Sequence, residues 1–174
     1  MNKLLVKDSN VSINNSYQNL EIKTSKLILN ISGSNTINDY DNNTDLDLKI
    51  IMEPHSKLLY NRKNANINNF TLDIEALSDS YIEFNYSLET SVASNIKLDA
   101  NISGNQNTSR INFHGVTKDE GLIKSIATSK VSENTKDNEI LENLRIIALN
   151  DTENEIVPNL LVRSDSVNAI HNTT

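Results

Sequence analysis

The side chains able to do chemistry in this chain of 174 residues are few in kind. There are three histidines, His55, His114 and His171, twenty-three carboxylates, and no cysteine. Without cysteine the chain can form no disulfide of its own and supply no thiolate to a metal or a cluster. Asp39, Asp41, Asn43 and Asp45 carry oxygen at positions 1, 3, 5 and 7 of a calcium-type loop. The sixth position, however, is Thr44 rather than Gly, and the twelfth is Ile50 rather than a bidentate Glu. Asp39 to Asp45 therefore reads as a solvated hairpin loop. His55 follows Pro54 in a turn, and His114 follows Phe113 at a strand edge; the three histidines are too dispersed for a metal motif. The glycines, Gly33, Gly104, Gly115 and Gly121, match neither a phosphate loop nor a nucleophile elbow. Carboxylate pairs such as Glu153 and Glu155 read as a solvated face, and an acid–base enzyme is not expected. Read alone, His171 is a terminal histidine in a loosely held strand. It ends a row with Val167 and Ala169 on one face of a period-two stretch, three residues before the last residue.

The elements that must position these groups are strands. Period-two alternation runs through 11–13, 20–22 and 27–31, then 46–50, 58–60, 70–76, 82–88, 96–102 and 111–113, and on from 123 to 131. Strand centres from 48 to 111 recur every twelve to thirteen residues, which is one strand plus one turn. The pattern alone fits an antiparallel sandwich or a two-sheet solenoid equally well. Polar breaks at 64–69, 78–80 and 103–107 fit turns. Asn is the commonest residue and Gly is scarce, so Asn is expected at left-handed turn positions. Residues 135–149 alone could form an amphipathic helix, with Ile140, Leu141, Leu144, Ile147 and Ala148 at helical spacing.

Length predicts one domain. A net charge of −7 disfavours nucleic-acid phosphates, and no basic cluster invites anionic lipid. No apolar run approaches the ~20 residues of a spanning helix. The first eight residues are too polar for a signal peptide, and the expectation is a cytoplasmic protein.

The last stretch closes with Pro158, Leu160, Val162, Asp165, Val167, His171 and Thr174. Their order and spacing resemble the end of the β-helical core of the SufB/SufD family, the paired scaffolds of the SUF iron–sulfur assembly system. Two more blocks fit: Thr108-Ser109-Arg110 with Gly115-Val116 and Lys118-Asp119, and Asn143 to Asp151. The resemblance covers about residues 107–174. Asn172 and Thr173 depart from the Gly and Ala of the family's His-Gly-Ala-Thr, and Ala169 stands where SufD-type sequences often carry Cys.

The resemblance implies an all-β fold, a right-handed β-helix of two-sheet coils with little helix. It makes residues 144–149 a strand and 132–142 a loop with at most a short turn. It implies one β-helical core over 1–174 without the family's terminal helical regions. Docking of the SufC-type ATPase is then not expected. It also implies a SufD-like scaffold role, pairing through terminal edge strands with a SufB-like subunit or as a homodimer. His171 would offer imidazole to iron or a nascent Fe–S cluster at that interface, no cofactor being intrinsic. The alternative is a self-associating solenoid with no metal role.

Overall fold

A computed structural model of the chain describes residues 4–7, 9–40, 43–132, 135–151, 153–162 and 167–174; the side chains of 158–162, 167–169 and 171 lie outside what is described. Fifteen strands follow one another: β1 (Leu4–Val6), β2 (Asn10–Asn14), β3 (Tyr17–Ile22), β4 (Lys26–Ser32), β5 (Ser34–Asp39), β6 (Asp45–Met52), β7 (Lys57–Ala65), β8 (Asn69–Ala76), β9 (Tyr81–Thr90), β10 (Ala93–Ile102), β11 (Thr108–Thr117), β12 (Leu122–Val131), β13 (Asn138–Ala148), β14 (Glu155–Val162) and β15 (Val167–Thr173). Odd-numbered strands form one parallel sheet of eight, and even-numbered strands a second of seven. Each strand pairs with the strand two further along, and every pairing is parallel. The chain is thus a two-sheet β-solenoid, and the sandwich alternative is excluded. Among the described residues there is no helix.

The alternation explains the core. Leu27, Leu29 and Ile31 of β4 are buried, as are Leu72 and Ile74 of β8 and Leu98 and Ala100 of β10, while their neighbours in sequence lie outside. Aromatic rings fill the middle coils. Tyr60 stacks on Phe84 at 5.0 Å between centroids, and Tyr86 lies 4.8 Å from Phe70 and 5.3 Å from Phe113.

The coils widen along the chain. Leu4 pairs with Leu20, sixteen residues on; Lys57 pairs with Tyr81, twenty-four on; Thr108 pairs with Glu139, thirty-one on. Strands lengthen in step, from three residues in β1 to eleven in β13.

Asparagine holds the coils in register. Seven residues, Asn19, Asn38, Asn61, Asn85, Asn112, Asn143 and Asn172, occupy one register column of the odd sheet. From Asn38 onward each donates its side-chain N–H to the Oδ1 of the one before, at 3.4, 3.0, 3.1, 2.8, 2.7 and 2.8 Å. Stacked amides of this kind are a known stabiliser of parallel, in-register strands. A second column is buried at the corner before the odd strands. Asn138 Oδ1 accepts from the Asn107 backbone at 3.0 Å, and Asn107 Oδ1 accepts from the Ser80 backbone at 3.0 Å. The residues just before this column, His55, Asp79, Gln106 and Asp137, all have positive φ, between 56° and 62°. Asn15 and Asn66 adopt the same left-handed conformation, as expected for a chain poor in glycine.

Two local expectations need correction. Residues 138–142 are not loop: β13 spans Asn138–Ala148, which also excludes the helix. Asn138 and Glu142 point inward with Ile140 and Leu144, so polar side chains on the core face hide the period-two pattern. Strand β5 went unforeseen for the same reason, because its buried positions Asn35, Ile37 and Asp39 include one apolar residue. Pro158 lies inside β14, at the end of the even sheet, where a missing N–H is tolerated.

The amide column should be costly to break. Asn112→Val leaves Asn85 without its donor and Asn143 without its acceptor. We expect a loss of about 1–3 kcal/mol, read from urea unfolding of the variant against the parent.

Candidate functional site

The terminal rung consists of β14 and β15, one at the end of each sheet. Both come from the segment that carries Pro158, His171 and Thr174. Residue His171 lies in β15 and pairs in register with Glu142 of β13; its side chain lies outside what is described. Asp165 and its neighbours at 163–166 also lie outside the described residues.

Glu142 is the group that sequence reasoning missed. It follows Ile37, Tyr60, Phe84 and Ile111 in one inward-facing column, and it is 1% exposed. A column that is apolar or aromatic for four rungs thus ends in a carboxylate, beside the register position of His171. Ser129 Oγ, reaching across from the even sheet, donates to Glu142 Oε1. Ser109 and Ser125 are buried in the same wide coils, so the interior turns polar towards this end. The signal in the sequence was the spacing Asn138, Ile140, Glu142, Leu144, legible as strand only if a buried carboxylate is allowed. A carboxylate oxygen beside a histidine position is a donor set suited to iron. Among the described residues, no group of three or more His, Cys, Asp or Glu is arranged to hold a metal ion.

The other candidates are separated from this rung. His55 is an exposed turn residue whose Nδ1 lies 3.3 Å from Asp79 Oδ2. His114 is exposed on β11. Glu153 and Glu155 are exposed. The calcium-type loop is corrected at its first position: Asp39 belongs to β5 and is fully buried, while Asp41 and Asn42 lie outside the described residues.

Asp39 instead anchors a charged cluster inside the narrow coils. Arg62 Nη1 donates to Asp39 Oδ2, with both side chains at zero exposure. Tyr60 donates its hydroxyl to the same oxygen at 3.0 Å. The guanidinium lies 4.8 Å from the Phe70 ring centroid and 5.8 Å from that of Tyr86. Burial, and then the Asp39 charge, pushes the Tyr60 hydroxyl well above its usual pKa; burial does the same to Tyr86.

Carboxylates also gather on the outer face of the even sheet, but there they are paired. Lys49 lies 2.6 Å from Glu75 and 3.8 Å from Asp73, and Lys97 lies 2.7 Å from Asp99. The hydrogen bond to Glu75 raises the Lys49 pKa, and that to Asp99 raises the Lys97 pKa. A hollow of about 250 Å³ beside them is lined by Lys97, Lys124 and Ile126 among others. Among the described residues, no helix is long and apolar enough to cross a membrane.

No protein-family model matches the chain, and no curated protein or solved structure matches it.

Two outcomes test the buried cluster. Arg62→Met strands the Asp39 charge and should cost about 3–5 kcal/mol in urea unfolding, whereas Asp39→Leu with Arg62→Met should cost less. Tyr60 and Tyr86 hold their protons more tightly folded than unfolded. Their contribution is fully present below the ordinary tyrosine pKa of 10.0 and is lost as pH rises beyond it, because the unfolded chain ionises first. The urea midpoint should therefore fall above pH 10, and less steeply in Tyr86→Phe.

Proposed function

We propose that this chain is a SufD-like scaffold component of iron–sulfur cluster assembly, pairing edge to edge with a SufB-like subunit or with itself. It acts without catalysing a reaction, in the cytoplasm. The observation that carries this reading is the terminal rung. The segment resembling the family's closing pattern forms the last strands of a parallel two-sheet solenoid, the fold that the resemblance implied. Among the described residues, no strand pairs with the outer edges of β14 and β15. An edge strand with free N–H and C=O groups is a template for strand addition from another chain.

In this role the cluster is cargo. His171 is the residue that would supply imidazole, and Glu142, its partner in register, would supply a carboxylate. Thiolate must come from the partner, because this chain has none. The buried Ser129–Glu142 hydrogen bond holds the carboxylate in place until iron arrives.

A second reading is a self-associating solenoid with no metal role. Its support is the hydrogen bond from Ser129, which gives the buried Glu142 carboxylate a structural partner within the chain.

Co-expression with a SufB-like subunit separates the two. The assembly reading expects a stable pair that binds iron and sulfide under anaerobic reconstitution. Iron content should fall in His171→Ala while the pair persists. Failure to associate, with no effect of the substitution on iron, would sink it.

A further inference from the structure

A hollow of about 360 Å³ lies on the outer face of the odd sheet, over β3 to β9 and away from the terminal rung. Its lining includes Tyr17, Ser34, Thr36, Lys57, Leu59 and Tyr81. The volume is in the range of small-ligand sites.

Both tyrosines are pinned by their hydroxyls. The Tyr17 hydroxyl accepts from Asn38 Nδ2 at 2.7 Å, one rung further along the sheet. That bond lays the ring across the outer face. Asn19 and Asn38 are 9% and 8% exposed although they face outward, while Tyr17 itself is 58% exposed. Tyr81 donates its hydroxyl to Glu83 Oε2 at 2.9 Å, two residues along the same strand. Its ring therefore runs along β9, with the Arg110 guanidinium 5.7 Å from the centroid. A ring held in place beforehand loses little freedom when a ligand arrives.

Register puts the two rings in line. Tyr17 pairs with Thr36, Thr36 with Leu59, and Leu59 with Glu83, towards which the Tyr81 ring points. Along the solenoid axis the order is ring, hydroxyl, isobutyl group, ring. Ser34 and Lys57 stand in the adjoining column, in register with each other. Neighbouring rungs are about 4.8 Å apart, so the rings lie about 14 Å from one another. Among the described residues, no hydrogen bond or ion pair engages Ser34 Oγ, Thr36 Oγ1 or Lys57 Nζ.

This order of groups fits a carbohydrate chain. The C–H face of a sugar sits on the negative face of an aromatic ring. Its hydroxyls then meet the unengaged groups of Ser34, Thr36 and Lys57. One rung is close to the advance of one sugar residue in an extended, equatorially linked oligosaccharide, so successive sugars meet successive rungs. A sheet face suits such a flat chain better than a coiled one. One lysine in the hollow does not favour a polyanion, in a chain of net charge −7 with Glu83 at the end of the row.

We infer that the outer face of β3 to β9 binds a neutral, extended, β-1,4-linked oligosaccharide, laid along the solenoid axis with sugar rings on Tyr17 and Tyr81. The terminal rung takes no part in this binding.

The chain has five tyrosines and no tryptophan, so tyrosine emission reports on these rings directly. Cellotetraose titrated into the full chain should change that emission saturably, and calorimetry should give the same dissociation constant. Tyr17→Ala and Tyr81→Ala should each weaken binding about tenfold. Tyr17→Phe, which keeps the ring, should weaken it less than Tyr17→Ala. Tyr40→Ala removes an exposed tyrosine outside the hollow and should bind as the parent does. Circular dichroism is the fold control for each variant. Maltotetraose, the same sugar in a coiled chain, and the anionic tetragalacturonate should both bind more weakly than cellotetraose. Absence of saturable cellotetraose binding, an equal loss in Tyr40→Ala, or tighter binding of either comparison sugar would overturn the inference.

Discussion

From β3 onward each coil of this solenoid is joined to the next by an amide. The column from Asn19 to Asn172 places one donor and one acceptor per rung along the odd sheet, and it allows no slip. Moving one coil by a single residue would break the amide contact. It would also turn the buried row of that strand out to water, because side chains alternate with a period of two. Parallel strands of similar sequence have many near-equivalent registers to choose from, and hydrophobic alternation alone does not distinguish a shift of two. The amides do, since in β3 to β15 a shift of two brings no asparagine back into the column.

The interior adds a second constraint, and it varies along the axis. In the narrow coils the space is closed by Asp39, Arg62 and Tyr60, with Phe70 and Tyr86 around the guanidinium. A buried ion pair gives little net stability, but one partner without the other is severely costly. The pair thus ties β5 to β7. In the wide coils the same column ends at Glu142, held by Ser129, and the packing changes from rings to hydroxyls and a carboxylate. Widening by insertion demands this shift, because longer strands bring more inward positions than the available aromatics can fill.

The terminal rung inherits both trends. It is laid down on the widest described coils, it continues the asparagine column, and it sets His171 in register with Glu142 of the neighbouring, inward-facing column. In the proposed role the backbone groups of the terminal edge would recruit a partner strand, and His171 is the residue of that rung in register with Glu142.

Much of this was legible in the residues. Clean alternation in 27–31, 46–50, 70–76, 82–88 and 96–102 marked five strands, and their spacing implied one strand per turn. The scarcity of glycine pointed to Asn at left-handed corners, found at Asn15 and Asn66. Strands β5 and the first half of β13 were hidden because Asn35, Asp39, Asn138 and Glu142 face inward, and a polar residue in a one-dimensional pattern counts as exposed. The candidate histidine was legible only through resemblance; its neighbour Glu142 was not, since residues twenty-nine apart become adjacent only when a full coil has closed. The sequence by itself determined which residues alternate and where the chain must turn. Tertiary structure alone decided which polar side chains lie inside and which asparagines stack, because burial and register depend on the neighbouring coil and not on the strand itself.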